Sequence, residues 1–179
     1  MVNNYLITGT PGSGKTTVVQ TVVERLKKKG FVPGGVYCPE IREGGSRKGF
    51  EMVDVMTGKQ RILAHVDREE GPSVSRYGVN VDNVDAMSNS AIGNALEEAD
   101  FLVIDEIAPM EIYSDEFRKQ VKKALDSEKP LLAVIHKRSS SGFIGGVKER
   151  EDVRIFEVNQ DDRDDLPSKL SELVLEDAP

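Results

Sequence analysis

Cysteine and tryptophan are scarce in this chain of 179 residues, which has a single cysteine, Cys38, and no tryptophan. One cysteine excludes an intramolecular disulfide, and this favours a reducing compartment such as the cytoplasm. A lone cysteine in a β-prone stretch is most often a small apolar residue. We therefore interpret Cys38 as part of the packing rather than as a reactive thiol.

Long apolar runs and an excess of positive charge are also missing. The apolar stretch after Met1 is too short for a signal peptide, and no stretch approaches the roughly 20 apolar residues of a membrane span. Lysine and arginine number 24 against 31 aspartates and glutamates, a net charge of −7. This balance argues against a nucleic-acid backbone as the main partner, while leaving room for a local basic patch. We expect a cytoplasmic protein without a membrane partner.

The chain does contain a regular alternation of β-prone runs and amphipathic segments. The predicted strands cover residues 5–8, 36–41, 101–104, 131–135 and 154–158. The predicted helices cover residues 14–29, 84–99 (capped by Asp82), 114–127 (capped by Ser114) and 165–175. This order predicts an α/β fold with a mostly parallel, doubly wound sheet, and the length fits a single domain over residues 1–179.

One segment departs from the alternation. The stretch "GFEMVDVMTGKQRILAHVD" contains two β-prone runs separated by Thr57, Gly58 and Lys59, a pattern typical of a β-hairpin. We predict that this hairpin is inserted between the first strand–helix–strand unit and the rest of the sheet.

The glycines after the first strand match G-x-x-x-x-G-K-[ST], the P-loop, between a predicted strand and a predicted helix. Glycines let successive N–H groups approach a phosphate, and the following helix adds its positive N-terminal end. Lys15 would reach the terminal phosphates, Thr16 would offer a hydroxyl to Mg²⁺, and Thr17 would contact the α-phosphate. The predicted nucleotide-binding segment is Gly9, Thr10, Pro11, Gly12, Ser13, Gly14, Lys15, Thr16 and Thr17. A dinucleotide fingerprint fits less well, because Thr17 replaces its third glycine.

The run "FLVIDE" supplies the second part expected of a P-loop protein, a buried strand that ends in an acid. We predict that Asp105 helps to hold Mg²⁺, the expected cofactor. Glu106 would orient and deprotonate an attacking water, a role typically worth about 10²- to 10⁴-fold in rate. Glu111 is a second nearby carboxylate, either as an accessory group or as a rival base. Together with Lys15, Glu106 forms the predicted catalytic pair.

The strand over residues 131–135 is expected to insert between the Asp105 strand and the P-loop strand. His136 would then lie at the carboxyl edge as a γ-phosphate sensor, with a structural role at the strand end as the alternative. A cation that neutralises the transferring phosphoryl group can contribute about 10³- to 10⁵-fold. The sequence does not choose among the basic residues that flank these segments, which are Arg42, Arg47, Lys48, Lys137, Arg138, Lys148 and Arg150.

Five stretches together resemble the THEP family of small nucleoside-triphosphatases: "TGTPGSGKTT", "PEIREGG…KGFEMVDVMTG", "GPSVSRYGVNV", "LVIDEIAPME" and "DDRDDLP". The resemblance implies slow, Mg²⁺-dependent hydrolysis of ATP, GTP, CTP and UTP with little base discrimination. It also implies a second nucleotide-contacting segment, made of Phe101, Leu102, Val103, Ile104, Asp105, Glu106, Ile107 and Ala108. The chain has Ala108 where the family usually has glycine, and Asp162-Arg163-Asp164 where Asn-Arg-Asp is usual, in a loop that lies near the base in related folds.

Three classes of function remain at this point. A hydrolase fits best, a kinase that passes the γ-phosphate to a nucleotide or small molecule is the main alternative, and a nucleotide-gated binding module is the third. A regulatory GTPase does not fit, because Asp105 is followed by Glu-Ile-Ala and Asn-Lys-x-Asp does not occur. We expect nucleoside triphosphates as the partners of a monomeric protein.

Overall fold

A computed structural model describes residues 1–178 of the chain. In chain order its elements are β1 (Asn4–Thr8), α1 (Lys15–Lys28), β2 (Pro33–Tyr37), β3 (Glu40–Glu43), β4 (Ser46–Asp54), β5 (Gln60–His65), β6 (Ser73–Val74), β7 (Tyr77–Val79), α2 (Val81–Met87), α3 (Gly93–Glu98), β8 (Phe101–Ile107), α4 (Asp115–Asp126), β9 (Leu131–Ile135), α5 (Gly142–Lys148), β10 (Val153–Glu157) and α6 (Leu166–Asp177). A π-helical segment (Ser88–Ile92) joins α2 to α3, and a 3₁₀ turn (Glu111–Tyr113) precedes α4.

The strands form one mixed sheet in the order β10-β1-β9-β8-β2-β4-β5-β7-β6, with β3 paired to β4. From β10 to β2 all neighbouring strands are parallel. Strand β9 lies between β1 and β8, as predicted. Because the carboxyl ends of parallel strands meet at one edge, this order brings the segments that follow β1, β8 and β9 together.

The predicted hairpin is confirmed, since β4 and β5 pair antiparallel and Asp54 N donates to Lys59 O at 2.8 Å. The antiparallel part of the sheet is larger than that hairpin. Strand β3 forms a second hairpin with β4, and the short strands β6 and β7 continue the sheet beyond β5. Strands of two or three residues, such as β6 and β7, carry too little periodicity to be recognised in a sequence.

Helices cover both faces of the sheet and enclose two apolar cores. On one face α1 and α6 pack with residues such as Val19 and Leu170 fully buried. On the other face α2 to α5 pack with residues such as Phe117 and Ile144. The apolar stripe that predicted α1 is the buried face of that helix, with Val18, Val19, Val22, Val23 and Leu26 at 3% exposure or less.

Polar side chains cap two of the helices, α2 and α4. Ser114 caps α4, because its side chain accepts from Phe117 N at 3.0 Å. The prediction that Asp82 caps the helix over residues 84–99 is wrong. Helix α2 begins at Val81 and its cap is Asn80, whose side chain accepts from Asn83 N at 3.1 Å. Helix α5 was not predicted, because its glycines are poor helix formers. Among residues 1–178 no helix has both the length and the apolarity to cross a membrane.

Candidate active site

The P-loop connects β1 to α1 in the conformation that its glycines allow. Gly14 has φ of +102°, a region that other residues rarely adopt. A Cβ atom at Gly9 would lie 2.6 Å from Ser13 Oγ and 3.1 Å from the backbone oxygen of Val158, so this crowded position favours glycine. The loop is closed by Ser13 N, which donates to Thr10 O at 3.1 Å. The sequence thus builds a tight loop of backbone amides at the N-terminus of a 14-residue helix.

Lys15 lies against this loop and acts electrostatically on the neighbouring strands. Its Nζ donates to Gly9 O at 2.8 Å and to Thr10 O at 3.5 Å. Burial raises the pKa values of Asp105 and Glu106, and the positive charge of Lys15 opposes that rise. After burial and Lys148, the same charge contributes to the lowered pKa of His136. The structure therefore brings the predicted P-loop cation, the two strand-end acids and the histidine into one region.

The contact between Thr16 and Asp105 joins the P-loop helix to the Asp105 strand. Thr16 Oγ1 donates to Asp105 Oδ2 at 2.9 Å, across 89 positions of sequence. Asp105 is 8% exposed. Burial raises the pKa of this carboxyl group, while the Thr16 hydrogen bond and the Lys15 charge oppose the rise. The two residues predicted to hold a metal are thus adjacent.

Glu106 and Glu111 both follow this contact but differ in their access to solvent. Glu106 is half-buried, whereas Glu111 is 3% exposed and its Oε2 has no hydrogen-bond partner within residues 1–178. Burial and then the charge of Asp105 raise the pKa of Glu106, and Lys15 opposes them. Burial and then the charge of Glu106 raise the pKa of Glu111 far above its ordinary value. Of the two carboxylates, Glu106 is the one that water can reach.

The apolar part of the predicted β8 segment is buried within the sheet. Phe101, Leu102, Val103 and Ile104 are at most 1% exposed and lie in the sheet interior between β9 and β2. Ile107 and Ala108 are also buried, although Ala108 O accepts from Glu111 N at 3.2 Å and so shapes the turn after the strand. Within this segment, Asp105 hydrogen-bonds the P-loop helix and Glu106 follows it, and contact of the whole segment with a nucleotide stays a prediction.

His136 follows β9 at the same edge of the sheet. Its backbone N donates to Ile107 O at 3.0 Å, and its Nδ1 lies 2.8 Å from Ser139 Oγ. Burial, then the charges of Lys148, Lys15 and Arg138, lowers the pKa of the ring. A neutral imidazole therefore lies at the predicted position.

Cys38 lies at the same edge, where β2 ends, and packs against the core. Burial, followed by the charges of Glu111 and Asp105, raises the pKa of its thiol well above the ordinary value. The thiol stays protonated, which supports its interpretation as a packing residue. Its proximity to the acids was missed, because sequence alone does not pair β2 with β8.

Several basic candidates are already engaged elsewhere. Arg150 bonds Asp126 and Asp152 at the opposite edge of the sheet, where Asp152 O accepts from the first residue of β1. Lys137 pairs with Glu157 at 2.6 Å. Arg42 and Arg47 both pair with Glu40 in the antiparallel extension of the sheet, which comprises β3 to β7. Lys148 instead contacts the backbone of the loop that carries His136.

A cavity of about 370 Å³ adjoins the P-loop, between α1 and the start of α6. The loop before the last helix was expected near the base, and its Arg163 does border this cavity. The Arg163 side chain also packs over the P-loop, with its Cδ 3.8 Å from where a Cβ of Gly14 would lie. Thr21 and Arg25 were missed, although their four-residue spacing after Thr17 places all three on one helix face. The lining residues are Gly14, Thr17, Val18, Thr21, Arg25, Arg163, Asp164 and Pro167.

Comparison with known proteins agrees with this geometry. A family model described as NTPase matches residues 4–171. A protein of Thermofilum pendens named nucleoside-triphosphatase THEP1 is 48% identical over 169 residues, which cover 94% of this chain and 93% of that protein. The protein of the same name from Methanothermobacter thermautotrophicus is 44% identical, covering 94% of each. The crystal structure of THEP1 from Aquifex aeolicus is similar with a TM-score of 0.84 and 28% identity, covering 96% of this chain and 98% of that one.

Proposed function

The chain belongs to this NTPase family and is a nucleoside-triphosphatase, and on that premise we propose a Mg²⁺-dependent hydrolysis with little discrimination between bases. The observation that carries the proposal is the hydrogen bond between Thr16 and Asp105. It fastens the end of β8 to the P-loop helix, so that a solvent-accessible Glu106 follows directly beside the loop that binds the triphosphate.

The residues at this contact suit Mg²⁺. Thr16 and Asp105 contribute hard oxygen atoms, which this ion prefers. Within residues 1–178 no group of three or more histidine, cysteine, aspartate or glutamate side chains could hold a metal. We propose that the ion is bound through one or two protein oxygens together with substrate phosphates and water. When bound, Mg²⁺ would neutralise charge on the β- and γ-phosphates.

Glu106 is the group that we propose as general base. It is half-buried, so that a water molecule can reach it, and it follows the Asp105 carboxylate on the same strand. Glu111 lacks that access at 3% exposure. The positive charge of Lys15 acts on Glu106 and would also act on the phosphates, so the proposed base and the phosphoryl group would both lie in the field of this cation.

The cavity beside α1 is the site that we propose for the base. Val18 and Pro167 border the cavity although they are largely buried, and the guanidinium of the exposed Arg163 can stack on any aromatic ring. Stacking recognises the face that all bases share rather than the edge that distinguishes them. This lining supports low base specificity.

A phosphate-release assay with ATP, GTP, CTP and UTP, each with and without Mg²⁺, tests the proposal. We expect all four nucleotides to be hydrolysed at similar rates and turnover to disappear when the metal is chelated. Undiminished turnover without metal, or hydrolysis of one nucleotide only, would contradict it.

The kinase alternative gains no support from the relatives described above, whose names describe triphosphatases. Labelled ATP with a panel of nucleoside monophosphates would reveal any transfer to an acceptor. The cytoplasmic location and the monomeric state stay predictions.

A further inference from the structure

Lys148, the last residue of α5, contacts the loop that follows β9. Its Nζ donates to Ser139 O at 2.6 Å and to Lys137 O at 3.0 Å. A single ammonium group therefore holds two carbonyls that lie two residues apart. We call this arrangement, Lys148 Nζ with the carbonyls of Lys137 and Ser139, the Lys148 clamp.

The clamp acts on the residue that also holds the His136 ring. Ser139 Oγ lies 2.8 Å from His136 Nδ1. The backbone of His136 is fixed separately, because its N–H donates to Ile107 O at the end of β8. Since Ser139 engages Nδ1, any contact of the ring with a phosphate would use Nε2. The clamp therefore acts on the His136 ring indirectly, through Ser139.

Packing brings α5 close enough for this contact. A Cβ atom at Gly145 would lie 2.5 Å from Ser140 O, so only a glycine lets the helix approach the loop to this distance. Lys148 is partly buried at this junction, whereas Lys137 and Arg138 in the loop itself are exposed. Lys137 is also paired with Glu157. Among these three cations, Lys148 is the one whose ammonium group hydrogen-bonds the backbone of the loop.

We propose that Lys148 is a positioning residue for hydrolysis, which holds the loop over residues 136–141 so that the His136 ring faces the γ-phosphate. The inference rests on the proposed function, because it needs a bound nucleoside triphosphate that the His136 ring contacts, as predicted from the sequence. The charge of Lys148 also lowers the pKa of the ring, after burial and ahead of Lys15. The clamp therefore supports a neutral ring as well as a fixed one.

Replacement of the lysine tests the clamp in the full-length protein. We expect Lys148→Met to lower kcat by about tenfold, a change typical of coupled neighbours, while KM for ATP stays within about twofold. Lys148→Arg should restore most of kcat, because a guanidinium can donate to both carbonyls. Lys122→Met, which removes an exposed lysine on α4, is the control and should match the wild type. If Lys148→Met does not fold, Lys148→Gln takes its place.

Two measurements distinguish positioning from general stability. Introducing Lys148→Met into a His136→Gln background should cost less than about twofold, because the two changes would remove the same interaction. The chain has two histidines, so ring ¹⁵N spectra assigned with His136→Gln report on His136 directly. We expect its ring signals to shift in Lys148→Met and to stay unchanged in Lys122→Met.

The spectra need no turnover, so the clamp and the proposed function can fail separately. A wild type without phosphate release would overturn the proposed function, and the spectra would then decide the clamp alone. Unchanged His136 signals in Lys148→Met, or an equal loss of kcat in both backgrounds, would overturn the clamp while leaving hydrolysis intact.

Discussion

Glu106 and Glu111 lie on one short segment, yet the fold gives them opposite environments. Glu106 is the one half-buried residue of the otherwise buried strand β8, whereas Glu111 is buried at the start of a 3₁₀ turn. Both pKa values are raised, with burial as the first cause. A base must reach water as well as bind a proton, so accessibility separates the two.

Glu106→Gln should lower hydrolysis by about 10²- to 10⁴-fold, because the amide retains the shape of the side chain but cannot accept the proton. Nucleotide binding should survive, since Lys15 and the loop amides are unchanged. Phosphate release and calorimetric titration with nucleotide would measure the two effects.

Two further variants serve as comparisons for that prediction. Glu111→Gln should cost less turnover than Glu106→Gln, and Lys15→Ala should weaken both binding and rate. Full activity of Glu106→Gln together with an inactive Glu111→Gln would transfer the role of base to Glu111.

At the scale of elements, β2 depends on glycine to pair with β8. Gly35 has φ of +136°, and a Cβ atom there would lie 1.8 Å from Val103 O of the neighbouring strand. Gly34 faces the other way, toward Ala95 of α3 at 2.6 Å. These two close approaches let the strand beside Asp105 lie tightly between β8 and the antiparallel extension.

Gly35→Ala should therefore destabilise the protein by more than about 3 kcal/mol, because a methyl group cannot share space with a backbone oxygen. Urea unfolding followed by circular dichroism would measure the loss. The matched control is Gly146→Ala on the exposed face of α5, where nothing lies within 4 Å of the added Cβ. That change should be neutral or stabilise by up to about 1 kcal/mol. Equal stability of the two variants would refute the packing argument.

At the scale of the whole molecule, Arg150 links helices on one face to the amino edge of the sheet. It bonds Asp126 at the end of α4 and Asp152 just before β10. Lys122 and then Arg150 lower the pKa of Asp126, and Arg150 lowers that of Asp152. The unfolded chain therefore takes up these protons at a higher pH than the folded protein does, so the stabilisation is complete above the ordinary aspartate pKa of about 3.9 and is lost as the pH falls through the lowered values.

Arg150→Met should lower Tm by roughly 2–4 °C at pH 7, which corresponds to about 1 kcal/mol for partly exposed pairs in a chain of this size. The difference from the wild type should shrink as the pH falls below the ordinary aspartate pKa of about 3.9 and through the lowered pKa values of Asp126 and Asp152. Calorimetry at pH 7 and over a series of decreasing pH values measures this. Lys27→Met, which removes an exposed pair with Glu24 at 3.7 Å, is the control and should show little change at any of these pH values. A difference that is independent of pH would show that Arg150 acts through packing alone.

The sequence by itself determined the parts of this protein that are encoded locally. The P-loop, the acids near the end of β8, the buried face of α1 and the Ser114 cap each depend on a few neighbouring residues, whose spacing and conformational preferences act within one turn or strand. The order of β1, β9 and β8 also followed, because parallel α/β sheets admit few connections. Which other residues belong to the predicted site, and what role each residue has, stays a prediction.

Only the tertiary structure decided which distant residues meet. It buried Glu111 and left Glu106 accessible, placed Phe101 to Ile104 in the core, and brought Arg163 to the cavity beside α1. It also added β3, β6 and β7 to the sheet and set Lys148 against the His136 loop. These outcomes depend on strand pairing and close packing between segments far apart in the chain, whose energies are not expressed in the periodicity of any single segment.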